Sequence, residues 1–147
     1  TPLIRGVNDA PSVLAELFRK LSYIGVSPYY IFQIRPTLGN KSYAVPLVKA
    51  YNVFQQARAN LSGTAKRALF VMSHARGKIE VVGLDHSFIY MRYHRAPDPE
   101  DTGKFIVVRR NDAGYWLDDF EEVFRIMPSD EEILVRYART KIAAGSN

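Results

Sequence analysis

Four consecutive apolar residues, Leu69 to Met72, constrain this chain most, because such a run flanked by polar residues describes a strand buried on both faces. A second strand begins at Ile79 to Val82, after a polar connection that ends in Gly77 and Lys78. In α/β sheets, open or closed into barrels, ligands collect where strands end and loops begin. Lys78 is therefore the first candidate binding residue, and a solvated hairpin charge beside a turn glycine is the alternative.

Upstream, strands and helices alternate. Pro2 to Val7 reads as a strand that Thr1 enters directly, without a methionine, the start expected of a piece of a longer protein. Asp9 and Pro11 mark a helix start, apolar residues at Val13, Leu14, Leu17, Phe18, Leu21 and Ile24 mark one helical face, and Gly25 closes it. Pro28 to Gln33 is the next strand. A polar loop from Ile34 to Ala44 leads to a second helix that Pro46 opens, with Leu47, Val48, Tyr51, Phe54, Ala57 and Leu61 facing inward. The order β-α-β-α-β favours parallel crossovers whose strand ends open the same way, so Asn8, Arg35, Ser73 and Lys78 are expected on one rim.

After Lys78 the pattern changes to hairpins. Ile79 to Gly83, Phe88 to His94 and Lys104 to Arg109 read as strands, and Tyr115-Trp116-Leu117 packs on the core. Ser129 with Glu132 forms a capping box for a terminal helix through Ile142. Two parts are expected: residues 1–83, a β-α-β-α-β unit with parallel crossovers, and residues 84–147, an antiparallel β extension with that helix.

Composition narrows the chemistry. No cysteine is present, which removes disulfides, thiolate metal sites and cysteine nucleophiles. The net charge of +5 suits anionic ligands, but Lys and Arg are dispersed among acids, so nucleic acid is not an expected partner. No apolar run is long enough for a membrane span and no signal-peptide pattern occurs, so a soluble cytoplasmic protein is expected.

The ordered segments Pro-Leu-Ile-Arg-Gly-Val-Asn-Asp (Pro2 to Asp9), Leu-Ser-Tyr-Ile-Gly-Val-Ser-Pro-Tyr-Tyr-Ile-Phe-Gln (Leu21 to Gln33) and Phe-Val-Met-Ser with a following Gly-Lys (Phe70 to Lys78) resemble the carboxyl-terminal part of the lysine 2,3-aminomutase family. The resemblance implies an incomplete, TIM-like parallel barrel holding a 4Fe–4S cluster, S-adenosylmethionine and pyridoxal phosphate. The family's cluster cysteines lie in the first half of the barrel. A cysteine-free chain is then a fragment, inactive without that amino-terminal half, with no catalytic residue of its own, and part of an expected homo-oligomer.

The resemblance also implies roles for single residues. Lys78, behind Gly77, matches the lysine whose amine binds the pyridoxal aldehyde and later yields it to the substrate amine. The loop here, His74-Ala75-Arg76-Gly77, is shorter than the family's run of glycines. Arg35 and Ser73 stand where lysine-using members carry aspartates that receive the substrate's distal ammonium. An arginine there repels an ammonium and grips a carboxylate, so the amino acid substrate is expected to be acidic and glutamate-like, held by Arg35 and Ser73. A non-catalytic anion-binding or oligomerisation module is the other class. His74, His86 and His94 have no metal-ligand spacing and read as surface histidines, and Asp118 to Glu122 as a charged surface.

Overall fold

A computed structural model describes residues 1–124. The terminal helix and its capping box fall outside the described residues.

Helix α1 runs Pro11–Tyr23, with proline in the first turn, where the missing N–H costs no bond. Its N-cap is Ala10 and no side chain caps it. Asp9, expected as that cap, instead accepts from the Gly6 N–H at 2.9 Å and tightens the preceding turn. Gly25 ends the helix at φ 78°, and the Val26 N–H bonds back to the Leu21 carbonyl at 2.9 Å. Helix α2, Leu47–Ala59, follows Pro46 and buries Leu47, Val48, Tyr51, Phe54 and Ala57 as its spacing predicts. Phe54 meets Phe18 of α1 edge-on at 6.5 Å, so aromatic packing joins the two helices.

Six strands form one sheet in chain order: β1 Tyr30–Phe32, β2 Leu69–His74, β3 Gly77–Leu84, β4 Phe88–Arg95, β5 Phe105–Arg109 and β6 Glu122–Phe124. Only β1 and β2 pair in parallel; every later pair is antiparallel. The parallel character therefore ends at β2, and the described residues form a mixed α/β sheet without a closed barrel.

Two expectations need correction. Pro2 to Val7 is no strand: a single parallel bridge joins Pro2 to Phe32, and the chain then turns through residues 5–8. Asn8 braces that turn, accepting from the Ile4 N–H at 2.6 Å and donating to the Pro2 carbonyl at 3.0 Å. Nor is Lys78 in a loop. The β2–β3 connection is a tight turn at Ala75-Arg76, and Lys78 is a strand residue paired with Ser73.

Alternation divides the sheet into two faces. Phe70, Met72, Ile79, Val81, Ile89, Met91, Ile106 and Val108 belong to one core with α1 and α2. The register puts Phe32, Val71, Glu80 and Arg92 in a row across the opposite face, with Ser73 and Lys78 beside it. On this face the Tyr30 hydroxyl of β1 lies 2.6 Å from His94 Nε2 of β4. Two strands separate β1 from β4, a gap of about 14 Å in a flat sheet, more than the two side chains reach together. The sheet is thus curved, and the face carrying Lys78 is its concave side.

Candidate functional site

The neighbours of Lys78 come from three strands: Tyr30 and Phe32 from β1, Ser73 from β2, and Gly77 and Glu80 from β3 itself. Gly77 allows the hairpin its tight entry: it sits at φ 125°, and a Cβ there would collide with the Arg95 carbonyl oxygen of β4. Arg76, just before it, clamps the turn from outside. Its guanidinium bonds both carboxylate oxygens of Glu122 (2.5 and 3.3 Å) and the Tyr93 hydroxyl (3.0 and 3.2 Å). The Glu122 partnership raises the Arg76 pKa.

The Lys78 ammonium then extends over the Tyr30 ring, 4.2 Å from its centroid, with Phe32 at 5.6 Å. Such a contact holds a cation by ring electrostatics, and among the described residues no carboxylate pairs with its nitrogen. Glu80, two residues along the same strand, is buried and engaged by Arg92 at 2.7 Å. A half-buried primary amine on an aromatic shelf, with the neighbouring acid already matched, suits reaction with a carbonyl group.

Tyr30 is itself fixed. Tyr29 stacks on it at 3.9 Å and approaches hydroxyl to hydroxyl at 3.0 Å, while His94 takes the other side. Burial first, then the Tyr29 hydroxyl and the Glu80 charge, push the Tyr30 phenol up to about 12, so it keeps its proton at physiological pH.

Of the three residues expected in the site, Ser73 and Lys78 are cross-strand partners. Arg35 lies exposed on the loop that leaves β1, where its carbonyl accepts from Asn40 Nδ2 at 2.7 Å; among the described residues its guanidinium has no partner. Beside this loop opens a cavity of about 740 Å³ lined by Ile34, Pro36, Lys41, Trp116, Asp118 and Asp119. It does not include Lys78. His74 packs against two residues of that lining: its ring lies 5.7 Å from Trp116, Nδ1 accepts from the Arg76 N–H at 3.1 Å, and Nε2 faces Asp118 at 3.2 Å. That bonding places the neutral ring's proton on Nε2.

Two histidines read as surface residues are therefore not surface residues. The His74 side chain is 7% exposed, and His94 is half-buried against Tyr30. Tyr30, Phe32 and His94 are the site residues the sequence reading missed, and strand parity was the available signal: Tyr30 and Phe32, Lys78 and Glu80, Arg92 and His94 alternate onto one face. Acids in the charged segment serve separate structural ends, with Asp119 accepting from the Tyr115 and Trp116 N–H groups and Glu121 pairing with Arg109. Among the described residues no group of three His, Asp or Glu side chains could hold a metal ion, and no helix is long and apolar enough to cross a membrane.

Fold and site together define a class: an α/β protein that presents a primary amine on the aromatic, concave side of its sheet. The chain is 48% identical over 123 residues, 84% of its length, to a provisionally named L-lysine 2,3-aminomutase of Aquifex aeolicus. It is 41% identical over 61 residues (42% of this chain) to the L-lysine 2,3-aminomutase of Clostridium subterminale, and 35% over 83 residues (56%) to a provisionally named one of Treponema pallidum. The chain is thus homologous to the lysine 2,3-aminomutase family. The matched segment covers 33%, 15% and 23% of those relatives, so the chain spans about a third or less of their length. No family model matches it.

Proposed function

We propose that this chain is the carboxyl-terminal part of a radical S-adenosylmethionine amino acid 2,3-aminomutase, an isomerase, and that it supplies the pyridoxal phosphate lysine and the distal substrate pocket. The observation supporting this reading is the placement of Lys78: a strand lysine on the concave face, its ammonium over Tyr30, at the position the sequence resemblance assigns to the cofactor lysine. In the whole enzyme, a soluble cytoplasmic homo-oligomer on this reading, an amino-terminal half completes the barrel and closes this face.

Pyridoxal phosphate, when bound, supplies an electron-delocalising ring for the migrating amino group. This chain's residues do the rest of the local work. Lys78 would hold the cofactor's aldehyde group through its amine, and Tyr30 and Phe32 shield that amine from water. Ser73 directs its hydroxyl toward the far end of the substrate, and Arg35 binds the carboxylate there with a fork that no ammonium can satisfy. The 4Fe–4S cluster and S-adenosylmethionine belong to the other half, since thiolate ligands cannot come from a chain without cysteine. The fragment alone is inactive.

Incubation with pyridoxal phosphate, borohydride reduction and peptide mapping test the reading. Label concentrated at Lys78 is expected. Label spread over exposed lysines refutes it and favours the anion-binding or assembly module, a reading the uncovered concave face also fits. For substrate, the full-length enzyme is expected to rearrange glutamate over lysine; efficient lysine turnover removes the role given to Arg35.

A further inference from the structure

We propose that Glu122, acting through Arg76, is a positioning residue for Lys78: the last described strand braces the short β2–β3 turn and so sets where the Lys78 amine stands. The proposal takes its functional meaning from the reading of Lys78 as the cofactor lysine, and its geometry stands apart from that reading.

Only Ala75 and Arg76 join β2 to β3, and Lys78 lies two residues beyond them, so a tilt of the turn passes directly to the lysine. One later segment holds both sides of that turn. On the β2 side, the His74 ring packs 5.7 Å from Trp116 and faces Asp118 at 3.2 Å, while its Nδ1 accepts from the Arg76 N–H at 3.1 Å. On the β3 side, the Arg76 guanidinium bonds both carboxylate oxygens of Glu122 and the Tyr93 hydroxyl.

Glu122 belongs to β6, which pairs with β5 and has no place in the ladder beside β2 or β3. In a flat sheet three strand spacings, about 14 Å, would separate β6 from β3. The ion pair closes that distance side chain to side chain, across the curvature of the sheet. Tyr93 pairs with Ile79 and lies with it in the core, so Arg76 grips the turn from the core-facing side, away from the ammonium. Its effect on Lys78 therefore travels through the backbone. The neighbouring pair, Arg109 with Glu121, is a single contact with side chains 58% and 68% exposed, whereas Arg76 and Glu122 are each 27% exposed and doubly bonded. Solvent weakens the first pair far more than the second.

The test uses the 147-residue chain with its lysines reductively ¹³C-dimethylated, which keeps their charge and suits an aromatic face. The Lys78 methyl signal, assigned by its absence in Lys78→Arg, is expected to be displaced upfield by the Tyr30 ring. That displacement should be lost in Glu122→Gln and in Arg76→Gln, with amide hydrogen exchange in residues 73–78 about tenfold faster, the worth of one hydrogen bond to a charged group. The double variant should be no worse than Arg76→Gln alone, because the two side chains act as one unit. Glu121→Gln should change neither reading. Glu122→Gln keeps the shape of the side chain and decides the matter even where Arg76→Gln does not fold.

A displacement that survives Glu122→Gln, losses that add in the double variant, or an equal loss in Glu121→Gln overturns the brace. Borohydride trapping of pyridoxal phosphate on the unmethylated chain reads the other claim separately. Label at Lys78 beside a displacement untouched by Glu122→Gln overturns the brace and leaves the cofactor reading. Scattered label beside a displacement lost in Glu122→Gln refutes the cofactor reading and leaves the brace.

Discussion

Replacing Gly77 with alanine should damage this protein more than replacing any other glycine in a turn, and the structure gives the reason. At φ 125° an L side chain is strained, and its Cβ would run into the Arg95 carbonyl oxygen and lie 3.1 Å from the Ala96 Cα. Both obstacles are backbone atoms, of the last residue of β4 and the residue after it, so no rotamer change relieves them. Strain at such a position costs about 1–3 kcal/mol, and separating two paired strands adds to it, giving a total of about 2–4 kcal/mol. At this chain length that lowers the thermal midpoint by about 5–15 °C, readable by circular dichroism. Gly103 is the internal control: its φ is 90°, but nothing lies within 4 Å of its Cβ position, so Gly103→Ala incurs strain alone. The difference between the two variants isolates the close approach of β3 to β4. A Gly77→Ala variant no less stable than Gly103→Ala would sink the argument and, with it, the strand register given to Lys78.

Two further outcomes follow from the core and from the β3–β4 turn. Phe54, 1% exposed and packed against Phe18, Tyr51 and Phe70, should cost about 3–5 kcal/mol on truncation to alanine, seen as a lower urea midpoint; a loss below about 1 kcal/mol means the two helices do not share this core. Asp85 accepts from the Tyr90 hydroxyl and from the Ser87 and Phe88 N–H groups, which hold its carboxyl down to about 2 against an ordinary 3.8. Its folded pKa is the lower one, so its stabilisation is present above pH 3.8 and is lost as the pH falls toward 2. Asp85→Asn should flatten the acid limb of the stability curve, and an unaltered limb would show that these bonds contribute nothing.

Helices were legible because their signals are local. Pro11, Gly25 and Pro46 punctuate them, and the apolar spacing of α2 named its buried face residue by residue. Pro2 to Val7 misled because its apolar residues also fit a chain pinned to a strand at one point, and the Asn8 side chain supplies the bonds that turn it away. His94 was dismissed for want of metal spacing, yet its partner Tyr30 lies 64 residues away and meets it only because the sheet curves. Curvature has no local code in this sequence. Arg35 shows the same boundary: its identity speaks to a carboxylate, but its exposed loop is set by Asn40 and Thr37, and nothing on the strand aims the side chain.

A lysine on a strand is placed differently from a lysine in a loop. Successive strand residues face opposite sides, so slipping β3 by one residue would send Lys78 to the helix-covered face and bring Ile79, fully buried here, into the open. Burying an unpaired ammonium among Phe70, Met72 and Met91 costs far more than a hairpin turn can recover. The hydrophobic core beneath β2, β3 and β4 therefore fixes the height of the amine above Tyr30 as firmly as it fixes the fold, and the shortened turn at Ala75-Arg76 makes that coupling rigid. A long glycine-rich loop would decouple the two. In this chain any substitution that loosens the core under Ile79 should also loosen the hold on Lys78, because both depend on one register.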